Sequence, residues 1–261
     1  MTLVVSEAST FGIAMVGDSA ITIVEPGRPP RIESGAAKVQ YAPLANIGFA
    51  MWGDACVAGR QMDNWLDEFI VANDSKNADV ESLGAILECE LRSALKSESR
   101  SWNQMRRGLH IAGFIGGIPH IYHLHTGGDL TNQHEPTLFR DYPYGIQLSP
   151  EEFRDRLQAG PCHVRNGYYQ HFGALYESFQ IYAQVLRQLG VDWPGQNLED
   201  RCSFLTLQAE VVALTLQWSG RQKKVDDNIS AIAFTPTGLI VDRRIAPRPA
   251  VWCGSAAELL F

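Results

Sequence analysis

The stretch Gly12-Ile13-Ala14-Met15-Val16-Gly17-Asp18 leaves this chain few ways to fold. Its apolar run has the length and the glycine-bearing flanks of a strand buried on both faces. Asp18 closes that run, so a carboxylate stands at the end of a buried strand rather than in solvent. A Pro- and Gly-rich excursion over residues 26–30 follows, and then Lys38, in Ala36-Ala37-Lys38-Val39, begins another strand-like piece. A buried lysine is costly unless paired with an acid, and Asp18 is the acid at hand. Upstream, Thr2 follows the initiator Met1. Loss of that methionine would leave a threonine with a free α-amine, which combines a hydroxyl nucleophile and its own general base in one residue.

Periodicity along the chain sets the architecture. Residues 2–6 and 12–18 read as a hairpin joined by polar residues 7–10, and residues 21–24 continue extended. Residues 38–41 and 46–50 suggest a second hairpin, turning at Ala42-Pro43. Gly53-Asp54 then reads as the start of a helix running to about residue 72, with Val57, Met62, Trp65, Leu66 and Phe69 at helical spacing and Asp54 suited to its N-terminus. A second helix over residues 80–96 carries Leu83, Leu87, Leu91 and Leu95 on one face. Strands are expected again at 109–115 and 120–125, a short one at 138–140, and a helix start at Ser149-Pro150-Glu151-Glu152. A long helix over 167–189 has a three-four apolar repeat. Another, over 198–217, is apolar on most sides and so buried. A hairpin over 229–234 and 239–245 closes the chain. This order is that of an α+β chain built as a four-layer α-β-β-α sandwich of two antiparallel sheets, in a single domain over residues 1–261.

Composition narrows the partners. With 22 basic and 29 acidic residues the formal charge is −7, which leaves no basic excess to neutralise phosphates and excludes nucleic acid as the main partner. No basic-plus-apolar leader opens the chain and no uncharged run reaches membrane-spanning length, so a cytoplasmic location without membrane association is expected. The five cysteines are widely spaced with no C-x-x-C pair, consistent with reduced, buried side chains. His123 and His125 share a strand face with His120 across the strand, but no cysteine or acid is placed to join them, so no metal site is assigned. Glycines at 113, 116 and 117 lie between strands with no helix to follow, which is not a phosphate loop.

Taken together, Thr2-Leu3-Val4-Val5, the stretch from Gly12 to Thr22, Ala37-Lys38-Val39, Ile47-Gly48-Phe49-Ala50 and Gly53-Asp54-Ala55 resemble a β-type subunit of the proteasome and its bacterial relatives, including HslV. The resemblance covers roughly residues 2–70 and implies an N-terminal nucleophile hydrolase. On that reading Thr2 attacks an amide carbonyl and its freed amine relays the proton through water. Lys38 lowers the hydroxyl pKa, and Asp18 orients the lysine. The backbone around Thr22 would receive a peptide or unfolded-protein substrate as an added strand. An N–H within residues 50–53, foremost Met51, would face the oxyanion. Ala20, Ile21, Ala50 and Met51 would shape an apolar pocket. The family's serine-bearing turn maps to residues 142–147, which hold no serine; for its supporting serine and aspartate, Trp218-Ser219-Gly220 and Asp226-Asp227 are the candidates, with Ser219 and Asp226 taken first.

The resemblance further implies a homo-oligomer, a double ring of fourteen subunits or, with six-fold rings, twelve. It calls for no cofactor and names no unfoldase. Two other readings share the sandwich: a catalytically silent ring subunit, and an amidase for small substrates.

Overall fold

The computed structural model describes residues 2–23, 31–96, 107–126, 136–141, 148–167, 169–191, 197–218 and 225–246. The chain opens with β1 (Leu3–Ser9), β2 (Gly12–Asp18), β3 (Ile21–Ile23), β4 (Arg31–Glu33), β5 (Val39–Ala42) and β6 (Ile47–Gly53). A small hairpin of β7 (Cys56–Val57) and β8 (Arg60–Gln61) leads into α1 (Met62–Asn73) and α2 (Val80–Lys96). Then come β9 (Arg107–Ile115), β10 (Ile118–Thr126), β11 (Thr137–Arg140), α3 (Pro150–Ala159) and β12 (Cys162–Gly167). Helices α4 (Tyr169–Gln188) and α5 (Leu198–Trp218) precede the closing hairpin of β13 (Ile229–Thr235) and β14 (Gly238–Arg243).

Ten strands form two antiparallel sheets, in the orders β12-β1-β2-β13-β14 and β11-β10-β9-β6-β5. Side chains alternate across each strand, so every central strand feeds two different cores. Leu3 and Val5 of β1, Ala14 and Val16 of β2, and Ala231 and Ala233 of β13 face outward and pack with Cys202, Leu205, Ala209 and Val212 of α5. On the second sheet Phe49 of β6 and Leu109 and Ile111 of β9 pack outward against the leucine ladder of α2 and Trp65, Leu66 and Phe69 of α1. The intervening residues Val4, Ile13, Met15, Ile232 and Phe234 meet Val39, Tyr41, Ala50, Ala112 and Ile121 between the sheets. Three cores between four layers make the α-β-β-α sandwich. Gly48 allows the two sheets to approach, because a Cβ there would fall 2.5 Å from Met15 Sδ and 2.9 Å from Phe234 Cε1.

Two departures from the sequence reading matter for the site. Helix α1 begins at Met62, not at Gly53. Gly53, Ala58 and Gly59 all take positive φ (92°, 51° and 76°), which turns the chain through the β7–β8 hairpin before a helix can start. Asp54 therefore caps no helix; it accepts from Cys56 N–H at 3.2 Å and pairs with Arg107 at 3.2 Å. Strand β12 is the second departure. Its polar residues obscure the alternation, yet two of them have buried partners: His163 contacts Glu7 at 2.6 Å, and Asn166 contacts His110 at 2.6 Å. Glu7 also receives a two-pronged Arg201 guanidinium at 2.7 and 2.6 Å. Burial alone would raise the Glu7 pKa, but His163 and Arg201 outweigh it and hold the carboxyl below its ordinary value. Among the described residues, no helix is long and apolar enough to cross a membrane.

Candidate active site

The hairpin register places Val4 opposite Gly17, which brings the end of β2 beside the start of β1. Gly17 then lets that end approach the second sheet, since a Cβ there would lie 3.2 Å from Val39 Cγ2 and 3.6 Å from Lys38 Cβ. Thr2, Asp18 and Lys38 thus meet from two strands of one sheet and the leading edge of the other. All three are buried, with exposures of 4%, 0% and 4%. Lys38 Nζ donates to Thr2 Oγ1 at 2.5 Å, to Asp18 Oδ1 at 2.9 Å and to Ala20 O at 2.5 Å. These three bonds exhaust its donors.

Asp18 is the hub. Its Oδ1 accepts from Thr2 Oγ1 at 2.8 Å, Leu3 N–H at 2.8 Å and Lys38. Its Oδ2 accepts from Ala20 N–H at 3.0 Å and Asp226 N–H at 3.3 Å. Burial pushes the Lys38 ammonium below its ordinary pKa, against the opposing pull of Asp18, Asp226 and Asp63. A proton held less firmly on Nζ, at hydrogen-bond distance from a hydroxyl, is the arrangement that eases formation of an alkoxide at Oγ1.

The remaining sequence-derived residues fall out differently. Asp226 joins the site: its carboxylate accepts from Ser19 Oγ at 2.9 Å while its backbone serves Asp18. Ser219 and residues 142–147 lie outside the described residues. Thr22 sits in β3 and pairs with Ile32 of β4. Met51 does not offer its N–H to the site, which corrects its assignment as oxyanion donor. That N–H donates to Lys38 O at 2.9 Å, because strand alternation directs it to the β5 edge. Gly53 is the next residue whose N–H faces the same edge, and β5 does not extend to meet it.

An open recess of about 100 Å³ adjoins Thr2 and Lys38. Ile21, Ala36, Met51 and Met62 give it apolar walls, Gln61, Asp63 and Asp54 add polar groups, and Trp52 and Gly53 also line it. Trp52 is fixed by donation of its indole N–H to His123 Nε2 at 3.1 Å. The sequence reading missed Gln61 and Asp63 because it placed both inside a helix. The glycines at 53 and 59 were the signal that could have found them.

Gly167, which ends β12 opposite Leu3 of β1, lies against Thr2. Gly167 has φ +83°, and a Cβ there would fall 1.6 Å from Thr2 O, so no side chain fits. Asn166 is held by His110 Nε2, and His110 Nδ1 contacts Ser6 Oγ at 2.8 Å. Burial pushes the His110 pKa down to about 4, so the ring is neutral at pH 7 and can donate at one nitrogen and accept at the other. Gly167 thus abuts the Thr2 carbonyl.

No family model matches the chain, and no curated protein does. Solved structures do. Anbu (ancestral β-subunit) from Yersinia bercovieri has a TM-score of 0.55 at 10% identity, over 94% of this chain and 86% of that one. Anbu from Hyphomicrobium sp. strain MC1 has a TM-score of 0.51 at 11% identity, over 94% and 87%. Its Gly-1 mutant has a TM-score of 0.54 at 10% identity, over 95% and 89%. These findings correct the resemblance drawn from the first seventy residues: the structural neighbours named here are Anbu proteins, and no family model or curated protein supports HslV. At such identities the likeness establishes the shared fold.

Proposed function

We propose that the chain is an amide-bond hydrolase whose nucleophile is Thr2 Oγ1, released for catalysis by removal of Met1. The observation that carries this reading is the Lys38 Nζ contact to Thr2 Oγ1 at 2.5 Å, with Asp18 bound to both groups. In the reaction Oγ1 attacks the carbonyl carbon of the substrate amide, and its proton passes through a water to the freed Thr2 amine. The Gly53 N–H receives the developing oxyanion. The amine then protonates the leaving nitrogen as the C–N bond breaks, which leaves an ester on Thr2 that a second water hydrolyses. Asp18 acts as a positioning residue that fixes Lys38 and Oγ1 together.

Assembly into a homo-oligomer belongs to the same proposal. Ile181, Tyr182 and Val185 of α4, with Leu189 just beyond its end, are exposed apolar side chains of the kind a partner surface covers. The neighbour from Yersinia bercovieri, described as an ancestral β-subunit, is consistent with such a subunit role. One observation favours the catalytically silent alternative: residues 142–147, to which the resemblance assigns the family's supporting serine, hold none.

Purified protein lacking Met1, confirmed by intact mass, is expected to cleave peptide amides, and Thr2→Ala is expected to abolish that turnover. Retention of Met1 by the protein made in its own host, with no turnover of peptides or acylated amino acids, would favour the silent subunit.

A further inference from the structure

We infer that Asp63 selects substrates carrying a cationic side chain, lysine or arginine, on the acyl side of the bond cleaved; the inference rests on the hydrolase reading above. Asp63 lines the recess beside Thr2 and is 97% buried, with an exposure of 3%. Its Oδ2 accepts from Ala37 N–H at 3.2 Å and its Oδ1 from Asn64 N–H at 3.0 Å. Neither donor is charged, and among the described residues no lysine, arginine or histidine forms an ion pair with it. A carboxylate this far from water is costly without a counter-charge.

The nearby cations are already committed. All three Lys38 donors go to Thr2, Asp18 and Ala20. Arg107 pairs with Asp54, the other acid of the lining. Lys38 feels the charge of Asp63, but among the described residues its donors end on Thr2, Asp18 and Ala20, which leaves the Asp63 carboxylate on the recess lining without an ion-pair partner.

The walls suit the stem of such a substrate. Ile21, Ala36, Met51 and Met62 surround the recess with hydrocarbon and sulfur, which fits the methylene chain of a lysine or arginine while its charged end reaches a carboxylate. A leucine would use the walls and leave Asp63 unpaired. A glutamate would add a second negative charge beside it.

The test uses the full chain and aminocoumarin peptide amides that differ only in the acyl-side residue: arginine, lysine, leucine or glutamate. The expected result is a kcat/KM for arginine and lysine at least about tenfold above leucine, with glutamate poorest. Asp63→Asn is expected to bring the arginine-to-leucine ratio within about threefold, and Asp63→Glu to restore the preference; thermal melts show whether each variant folds. Preference for leucine or glutamate in the parent protein, or an unchanged ratio in Asp63→Asn, would overturn the inference while leaving the hydrolase reading intact. A second arm is independent of turnover: in Thr2→Ala protein, fluorescence anisotropy should show the arginine peptide binding at least about tenfold tighter than the leucine peptide. Equal binding would overturn the inference. Absence of turnover with the arginine preference in binding retained would strike the hydrolase reading alone.

Discussion

Removing either member of the Lys38–Asp18 pair should abolish reactivity, but the two losses should differ sharply in what they do to the fold. In Lys38→Met, Asp18 keeps four donors: Thr2 Oγ1, Leu3 N–H, Ala20 N–H and Asp226 N–H. A carboxylate so supplied keeps its hydrogen bonds without a cation. The variant forfeits bonds to Thr2 and Ala20 but also the burial of an ammonium, so the net cost is about 1–2 kcal/mol. In Asp18→Asn the amide nitrogen must face one set of donors. Turned toward Oδ2, it opposes the Ala20 and Asp226 N–H groups; turned toward Oδ1, it opposes Leu3 N–H and Lys38. Two orphaned donors and an uncompensated buried ammonium together cost about 3–5 kcal/mol. Urea midpoints read both differences, and thermal melts should follow at about 2–4 °C per kcal/mol for a chain of this size. Equal destabilisation by the two substitutions, or a larger effect from Lys38→Met, would refute the reasoning that makes Asp18 the hub.

Other perturbations test the surroundings of the site. Gly167→Ala puts a methyl group against the Thr2 carbonyl and forces a positive φ; a loss of about 3 kcal/mol or more is expected by denaturant melt. The His110 pKa is depressed from 6.5 to about 4, so between those values the unfolded chain binds more protons than the folded one. Stability should therefore fall as pH drops through that window, by about 3 kcal/mol from this residue. His123, depressed in the same direction by burial first and then by His110 and His125, should steepen the loss. A His110→Gln variant with a shallower slope in urea melts between pH 7 and pH 4 is the check.

How much was legible in the sequence depends on what surrounded each element. The strands at β2, β6, β9 and β13 are largely apolar runs of strand length, because neighbours bury both of their faces. The ladder of α2 is equally plain, since one face meets Ile111 and Tyr122 and the other meets water. Strand β12 was hidden because His163, Arg165 and Asn166 look solvated until Glu7 and His110 arrive from distant strands to satisfy two of them. The start of α1 was misplaced because Val57 falls in step with the helical spacing by chance, while the glycines at 53 and 59 that break the helix carry no periodicity. Thr2, Asp18 and Lys38 could be singled out because a lysine among alanines and a carboxylate ending an apolar run each demand a partner. Asp63 made no such demand on paper: an acid in the first turn of a helix has an ordinary explanation, and only the recess beside Thr2 supplies another.

The central claim, that Thr2 Oγ1 is a nucleophile, is tested most directly by exposing the full-length protein to a peptide epoxyketone and mapping the adduct by mass spectrometry. The account requires the label on an N-terminal peptide that begins at Thr2 and its absence from Thr2→Ala and Lys38→Met. An unlabelled Thr2 in protein that has lost Met1, or a label of equal yield in Lys38→Met, would contradict it.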